Sequence, residues 1–264
     1  MIQSQSPIGF FDSGVGGASI WKEMIKLLPC EDTIYLADSL NAPYGIKTKK
    51  EIIALSEKNT KYLLDKGCKI IVVACNTATT NAIAYLRNKY PVSFIGIEPA
   101  IKPAALQTKT NSVGILATQG TLSSALFAKT SNQFAKGVKI VEQVGKGLVE
   151  LIESGAIESD KMHDLLTAYL KPMQKEQIDY LILGCTHYPY LIPKIKKIID
   201  KDIKIIDSGF AVSKQIESVL QKNKLVNPSL KQGKYKFYTN TNKEVLENLL
   251  SDINNDFTII KTDF

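Results

Sequence analysis

Short apolar, β-branched runs punctuate the chain at intervals. They stand at 7–11 (PIGFF), 33–36 (TIYL), 70–74 (IIVVA), 92–96 (VSFIG), 112–116 (SVGIL), 138–141 (VKIV), 179–183 (DYLIL) and 203–206 (IKII). Apolar runs without alternation read as strands covered on both faces. Longer amphipathic stretches lie between them, at 48–66, 76–89, 146–170 and 188–200. In the first of these, Ile52, Leu55, Tyr62 and Leu63 form one helical stripe. The alternation predicts an α/β protein, with mostly parallel sheets flanked by helices.

The pattern also repeats itself. IGFFDSG (8–14) aligns with VGILATQ (113–119), and IYLAD (34–38) with KIVEQ (139–143), both at an offset of 105. VVACNTA (72–78) aligns with ILGCTHY (182–188) at 110, and SFIGIEPA (93–100) with KIIDSGFA (204–211) at 111. Four matches in one order at a near-constant offset predict an internal duplication. The expectation is two pseudo-symmetric lobes with the active site in the cleft between them. The first lobe takes residues 1–97 and the second 98–207. The tail, 208–264, offers a helix (210–222), a strand (236–239), a second helix (243–251) and a last strand (257–260). It is too short for a domain and is expected to return to the first lobe.

Composition narrows the function. The 264 residues carry a formal charge of +7. All the basic residues but Arg87 are lysines, and they are scattered. Without arginines or a basic run, nucleic acid is not an expected partner. No basic segment leads into an apolar one at the N-terminus, and no apolar run reaches membrane-spanning length. A cytoplasmic protein with free thiols is expected. The four cysteines form no C-x-x-C pair and only two histidines are present, so no metal site is expected.

Cys75 and Cys185 occupy equivalent places in the two halves, each after four apolar residues (IIVVACNTAT, YLILGCTHYP). Each therefore ends a strand where a helix begins, and ligands in open α/β sheets bind at such carboxyl ends. A helix N-terminus is expected to favour the thiolate. Two facing thiols suit either a disulfide switch or a two-base proton transfer that inverts a carbon centre. Cys30 and Cys68 end no strand and read as packing residues. Asn76, Thr77, Thr186 and His187 add donors at the same ends. His187 is two residues from Cys185 and suited to tune it, whereas His163 lies in a polar stretch and reads as surface. Asp12-Ser13-Gly14-Val15-Gly16-Gly17 fails the dinucleotide and P-loop patterns. It reads instead as backbone donors beside an acid. Asn41-Ala42-Pro43-Tyr44-Gly45 is a rigid turn after the second strand. Glu153, before Gly155, reads by default as a surface acid.

Taken together, FFDSGVGG, NAPYG, VACNTAT and ILGCTHYP resemble the glutamate racemases of the aspartate/glutamate racemase superfamily, and the resemblance runs from Ile8 to KFYTN. It implies interconversion of L- and D-glutamate without a cofactor, supplying D-glutamate for peptidoglycan, by a protein that commonly forms a homodimer. It implies that Cys75 acts on the D-isomer and Cys185 on the L-isomer, assisted by Asp12 and His187. It further implies a substrate site of Asp12, Ser13, Tyr44, Gly45, Asn76, Thr77, Thr186 and His187, with Thr118, Thr121 and Glu153 contributing. Phe127, Ala18 and the segment after Thr239 depart from the family pattern. Other readings are a racemase for aspartate or a hydantoin, and a non-catalytic binder of a small acid or nucleotide.

Overall fold

The computed structural model describes residues 3–264. Ten strands are present among them: β1 (Ile8–Asp12), β2 (Thr33–Ala37), β3 (Ile70–Val73), β4 (Ser93–Gly96), β5 (Ser112–Ala117), β6 (Lys139–Val144), β7 (Tyr180–Gly184), β8 (Lys204–Ile206), β9 (Tyr235–Thr239) and β10 (Phe257–Lys261). They form two sheets, ordered β10-β9-β2-β1-β3-β4 and β6-β5-β7-β8, and every pairing is parallel. The order β2-β1-β3-β4 recurs as β6-β5-β7-β8. Strands aligned by the sequence repeat thus occupy equivalent places, and the molecule is a pseudo-symmetric two-sheet α/β structure. The central strands β1, β2, β3, β5 and β7 are buried throughout, as their unbroken apolar runs require.

Helices α1 (Ala18–Leu27), α2 (Lys49–Asp65), α3 (Asn76–Lys89), α4 (Ile101–Gln107), α5 (Gln119–Leu122), α6 (Ala125–Phe134), α7 (Leu148–Glu153), α8 (Asp160–Lys175), α9 (Ile192–Ile198), α10 (Gly209–Lys222) and α11 (Glu244–Leu249) cover the sheets. Helices α1, α4, α5 and α6 lie where the apolar pattern predicts no helix. The expected helix 146–170 is two helices. Gly155 turns the chain with φ of +74°, and Ser159 then caps α8 by accepting from Met162 N. The expected helix 188–200 begins as a 3₁₀ turn, Tyr188–Leu191, and becomes α-helical only at Ile192.

Strand β9 pairs with β2, and β10 with β9. Trp21 of α1 fastens this edge. Its ring meets Tyr235 and Phe237 edge-on at 5.1 and 4.7 Å, and its Nε1–H donates to Thr33 Oγ1. Each such aromatic pair adds about 1 kcal/mol to the burial itself. One apolar cluster runs on from Ile8, Phe10 and Trp21 to Leu148 of α7 and to Leu181 and Leu183 of the second sheet. Because all strands in a sheet point the same way, their carboxyl ends share one rim, and that rim carries the polar residues described next.

Candidate active site

Cys75 is the N-cap of α3, and its Sγ accepts a hydrogen bond from Ala78 N at 3.4 Å. The thiol also donates to Ser13 Oγ at 3.5 Å, from the end of β1. Burial pushes this thiol well above its ordinary range, and the nearby Asp12 charge adds to the rise. The expected lowering by the helix N-terminus is therefore overturned. Removing sulfur from water outweighs the partial charge of the helix end. Cys185 follows β7 directly and is equally buried. No α-helix starts behind it; its partner is His187 Nδ1, 3.7 Å from the sulfur.

His187 is clamped between sulfur and carboxylate. Its Nε2 donates to Glu153 Oε1 at 2.5 Å. Burial works against a charged ring, but the bonds to Cys185 and Glu153 prevail and hold His187 well above the usual histidine range. These two bonds favour the protonated ring. Burial likewise favours a neutral Glu153, yet His187, Ser39 Oγ at 2.7 Å and Val15 N at 2.8 Å hold this carboxyl below its usual range. The glycines of DSGVGG allow this packing. A methyl at Gly14 would collide with the Glu153 carboxylate, and one at Gly16 with the His187 ring.

Asp12 ends β1 with no exposed surface. Its carboxylate accepts from Ser13 N at 2.7 Å, Gly17 N at 2.6 Å and Thr186 Oγ1 at 3.4 Å. Burial pushes its pKa up to about 6, against the pull of His187 and the Gly17 N–H. Thr77 Oγ1 lies 2.8 Å from Thr118 Oγ1 and 3.4 Å from Thr121 Oγ1, joining the rims of the two sheets.

These groups surround a cavity lined by Ser13, Pro43–Gly45, Cys75–Thr77, Thr118, Val149 and Cys185–His187. Both thiols face it. Its volume is about 10 Å³, room for one water. A wider vestibule of about 240 Å³ shares Pro43, Gly45, Thr118 and Val149 with it and continues past Ile46 and Gly147. Asn76 is 2% exposed, and neither Oδ1 nor Nδ2 has a partner. A buried amide left unsatisfied costs about 1–3 kcal/mol per group, so this one is suited to a bound ligand.

Residues 16–216 match the family model Asp/Glu/Hydantoin racemase. A glutamate racemase of Herpetosiphon aurantiacus is 46% identical over 233 residues, covering 88% of this chain and 92% of that one. The chain belongs to the glutamate racemase family. Its structure agrees with that of glutamate racemase RacE1 from Bacillus anthracis at a TM-score of 0.86 and 29% identity, over 99% of this chain and 98% of that one. It also agrees with a Francisella tularensis glutamate racemase in complex with D-glutamate, at 0.82 and 30% identity, over 98% of each chain.

Of the residues that the family resemblance pointed to, Ser13, Tyr44, Gly45, Cys75, Asn76, Thr77, Thr118, Cys185, Thr186 and His187 line the cavity. Asp12, Thr121 and Glu153 stand behind that wall and act on it through hydrogen bonds. Glu153, whose local sequence reads as surface, is buried because its partners Val15, Ser39 and His187 come from remote segments. Pro43 lines the cavity as part of the turn singled out in the sequence, whereas sequence reasoning passed over Val149, Ser39, Asp38 and Asn240. For Asp38 a signal existed, since this acid directly follows the second strand, much as Asp12 closes the first.

Proposed function

We propose that Cys75 and Cys185 are the two bases with which this glutamate racemase interconverts L- and D-glutamate. The observation that carries this reading is that both thiols, set at equivalent strand ends of a duplicated fold, face one small cavity. One sulfur, as thiolate, takes the Cα proton. The other, as thiol, gives its proton to the opposite face of the carbon. The configuration inverts, and the two sulfurs exchange protonation states. The family pattern supports Cys185 as the base for L-glutamate and Cys75 for D-glutamate.

The Cα proton of an amino acid is very weakly acidic. Preorganised donors must meet the charge that develops when it leaves, and water must be kept out. Donors at the α3 N-terminus, the Asn76 amide and the hydroxyls of Ser13, Thr77, Thr118 and Thr186 support that role. The single arginine is engaged elsewhere, with Arg87 Nη2 donating to Phe94 O. Recognition of the dicarboxylate therefore falls to amides and hydroxyls. A cavity sized for one water describes a closed site, so substrate is admitted by parting the walls along the vestibule, between Pro43–Ile46 and Val144–Glu150.

Residues 3–97 with 208–264 make one lobe in this reading, and 98–207 the other; residues 1 and 2 of the expected first lobe lie outside the described residues. The pairing of β9 with β2 supports it. Free thiols support a reducing cytoplasm, where D-glutamate feeds peptidoglycan synthesis. No helix among the described residues is long and apolar enough to cross a membrane. The family's habit of pairing, with exposed Ile46 lining the vestibule and Leu40 exposed six residues before it, supports a homodimer.

The test is dialysed enzyme given L-glutamate, D-glutamate or either aspartate, followed by circular dichroism. Glutamate is expected to lose optical activity from both sides and aspartate to hold it. Rotation of glutamate that never changes would refute the assignment.

A further inference from the structure

Asp38 is 1% exposed, and no lysine or arginine pairs with it among the described residues. Three neutral donors hold it instead. Tyr44 OH donates to Oδ2 at 2.5 Å; Asn41 Nδ2 and Asn240 Nδ2 donate to Oδ1 at 2.8 and 2.6 Å. Two of these donors belong to the turn that forms one wall of the cavity. The third comes from the C-terminal tail. Register explains its arrival. Ala37 and Thr239 are partners in β2 and β9, so the next residues, Asp38 and Asn240, meet beyond the sheet rim. Asn240 grips twice, because its Oδ1 also accepts from Leu40 N at 2.8 Å.

We propose that Asn240 is a positioning residue for substrate binding: through Asp38 and the Leu40 amide it fixes the turn that presents Pro43, Tyr44 and Gly45 to glutamate. The inference rests on the assignment of that turn as part of the glutamate site. Tyr44 transmits the constraint. Its hydroxyl donates to Asp38 and accepts from Asn59 Nδ2 at 3.2 Å, while its ring lines the cavity. Burial, then the Asp38 charge, holds the phenol well above its ordinary range, so it remains a donor throughout the working pH. Gly45 at the far end of the turn packs on Thr118 and Gly120 of the other sheet's rim. Only an amide serves at position 240, because one end must donate to a carboxylate and the other accept from a backbone N–H. An aspartate there would set two carboxylates face to face.

The experiment compares wild type, Asn240→Ala, Asn240→Asp and the double variant Asp38→Asn/Asn240→Asp, which restores an amide–carboxylate pair with the roles exchanged. KM and kcat for both glutamate enantiomers are measured alongside thermal unfolding. Loss of a hydrogen bond to a charged group is worth about tenfold. KM is expected to rise about 5- to 10-fold in Asn240→Ala, and further in Asn240→Asp, with kcat within about twofold. The double variant is expected to bring KM back to within about threefold of wild type. Overturning results are an unchanged KM, a loss of kcat alone, or a double variant no better than Asn240→Asp. Failure of all three variants to fold overturns it as well, since an anchor needed only for folding is structural. Wild type that fails to racemise glutamate would instead remove the functional reading beneath the proposal.

Discussion

The two thiols of the site occupy the same place in two copies of one fold, yet their surroundings differ. Around Cys75 stand a helix N-terminus, a serine hydroxyl and a buried acid, Asp12, and the thiol is driven upward. Around Cys185 stands His187, whose protonated form is favoured by its bonds to Cys185 and Glu153. Duplication therefore supplied positions, and divergence supplied different neighbours. A two-base exchange needs one thiol and one thiolate at a time. A cation beside sulfur stabilises the thiolate, whereas a buried acid beside it favours the neutral thiol. The two sulfurs are thus inequivalent in their neighbours, Cys75 facing Ser13 and Asp12 and Cys185 facing His187.

The sharpest way to break this comparison is to remove each sulfur. Cys75→Ala and Cys185→Ala are each expected to lower racemisation by on the order of 10³ or more, because each removes a direct proton-transfer group. If either retained wild-type turnover, its sulfur would not be a base.

Asp12 sharpens the Cys75 side through stability. Its folded pKa lies at about 6 against 3.8 in the ordinary range, so the neutral acid is the better-tolerated form in the folded protein. The stability it contributes is complete below about pH 4 and is lost as pH rises through about 6. The loss is on the order of 3 kcal/mol. Asp12→Asn is expected to lack this decline. Urea unfolding of both proteins across this window measures it, and parallel curves would contradict it.

His187→Asn probes the other side. Losing an imidazolium hydrogen-bonded to sulfur is expected to lower kcat/KM by about 10- to 100-fold. The equilibrium constant between enantiomers is unity, so kcat/KM must fall equally in both directions. The asymmetry shows in isotope effects instead. With α-deuterated L-glutamate the effect is expected to grow, and with α-deuterated D-glutamate to shrink. Equal changes would mean that His187 serves both sulfurs alike.

Glu153→Gln is the mildest change, about 3- to 10-fold at neutral pH. Without its carboxylate partner, His187 loses part of what raises its pKa. The imidazolium is then lost at lower pH, and the alkaline limb of the pH–rate profile is expected to move toward neutrality. An unmoved limb would show that Glu153 does not govern His187.

Much of this was legible in the chain. Four apolar residues before each of Cys75 and Cys185 announced buried strands, and a parallel strand's carboxyl end is a geometric consequence. The repeat announced two lobes of like construction, while the strand order within each came from the structure. What escaped was fixed by distance in sequence. Glu153 sits in IESG, where nothing local separates it from a solvated acid; its partners Val15 and Ser39 lie 138 and 114 residues away. Asn240 acquires its role only because β9 pairs with β2. The rise at Cys75 escaped for a different reason. A helix N-terminus is visible in sequence, but the extent of burial that overrides it emerges only from the assembled lobes.

The central claim is that two different sulfurs handle the two faces of the α-carbon. Partial conversion of L-glutamate in D₂O tests it most directly, with α-deuterium measured separately in recovered L-glutamate and in newly formed D-glutamate. At low conversion, the D-glutamate is expected to carry solvent deuterium and the recovered L-glutamate to retain its proton. Deuterium entering both enantiomers at equal rates from the first turnovers, or D-glutamate retaining the original proton, would mean that a single base serves both faces.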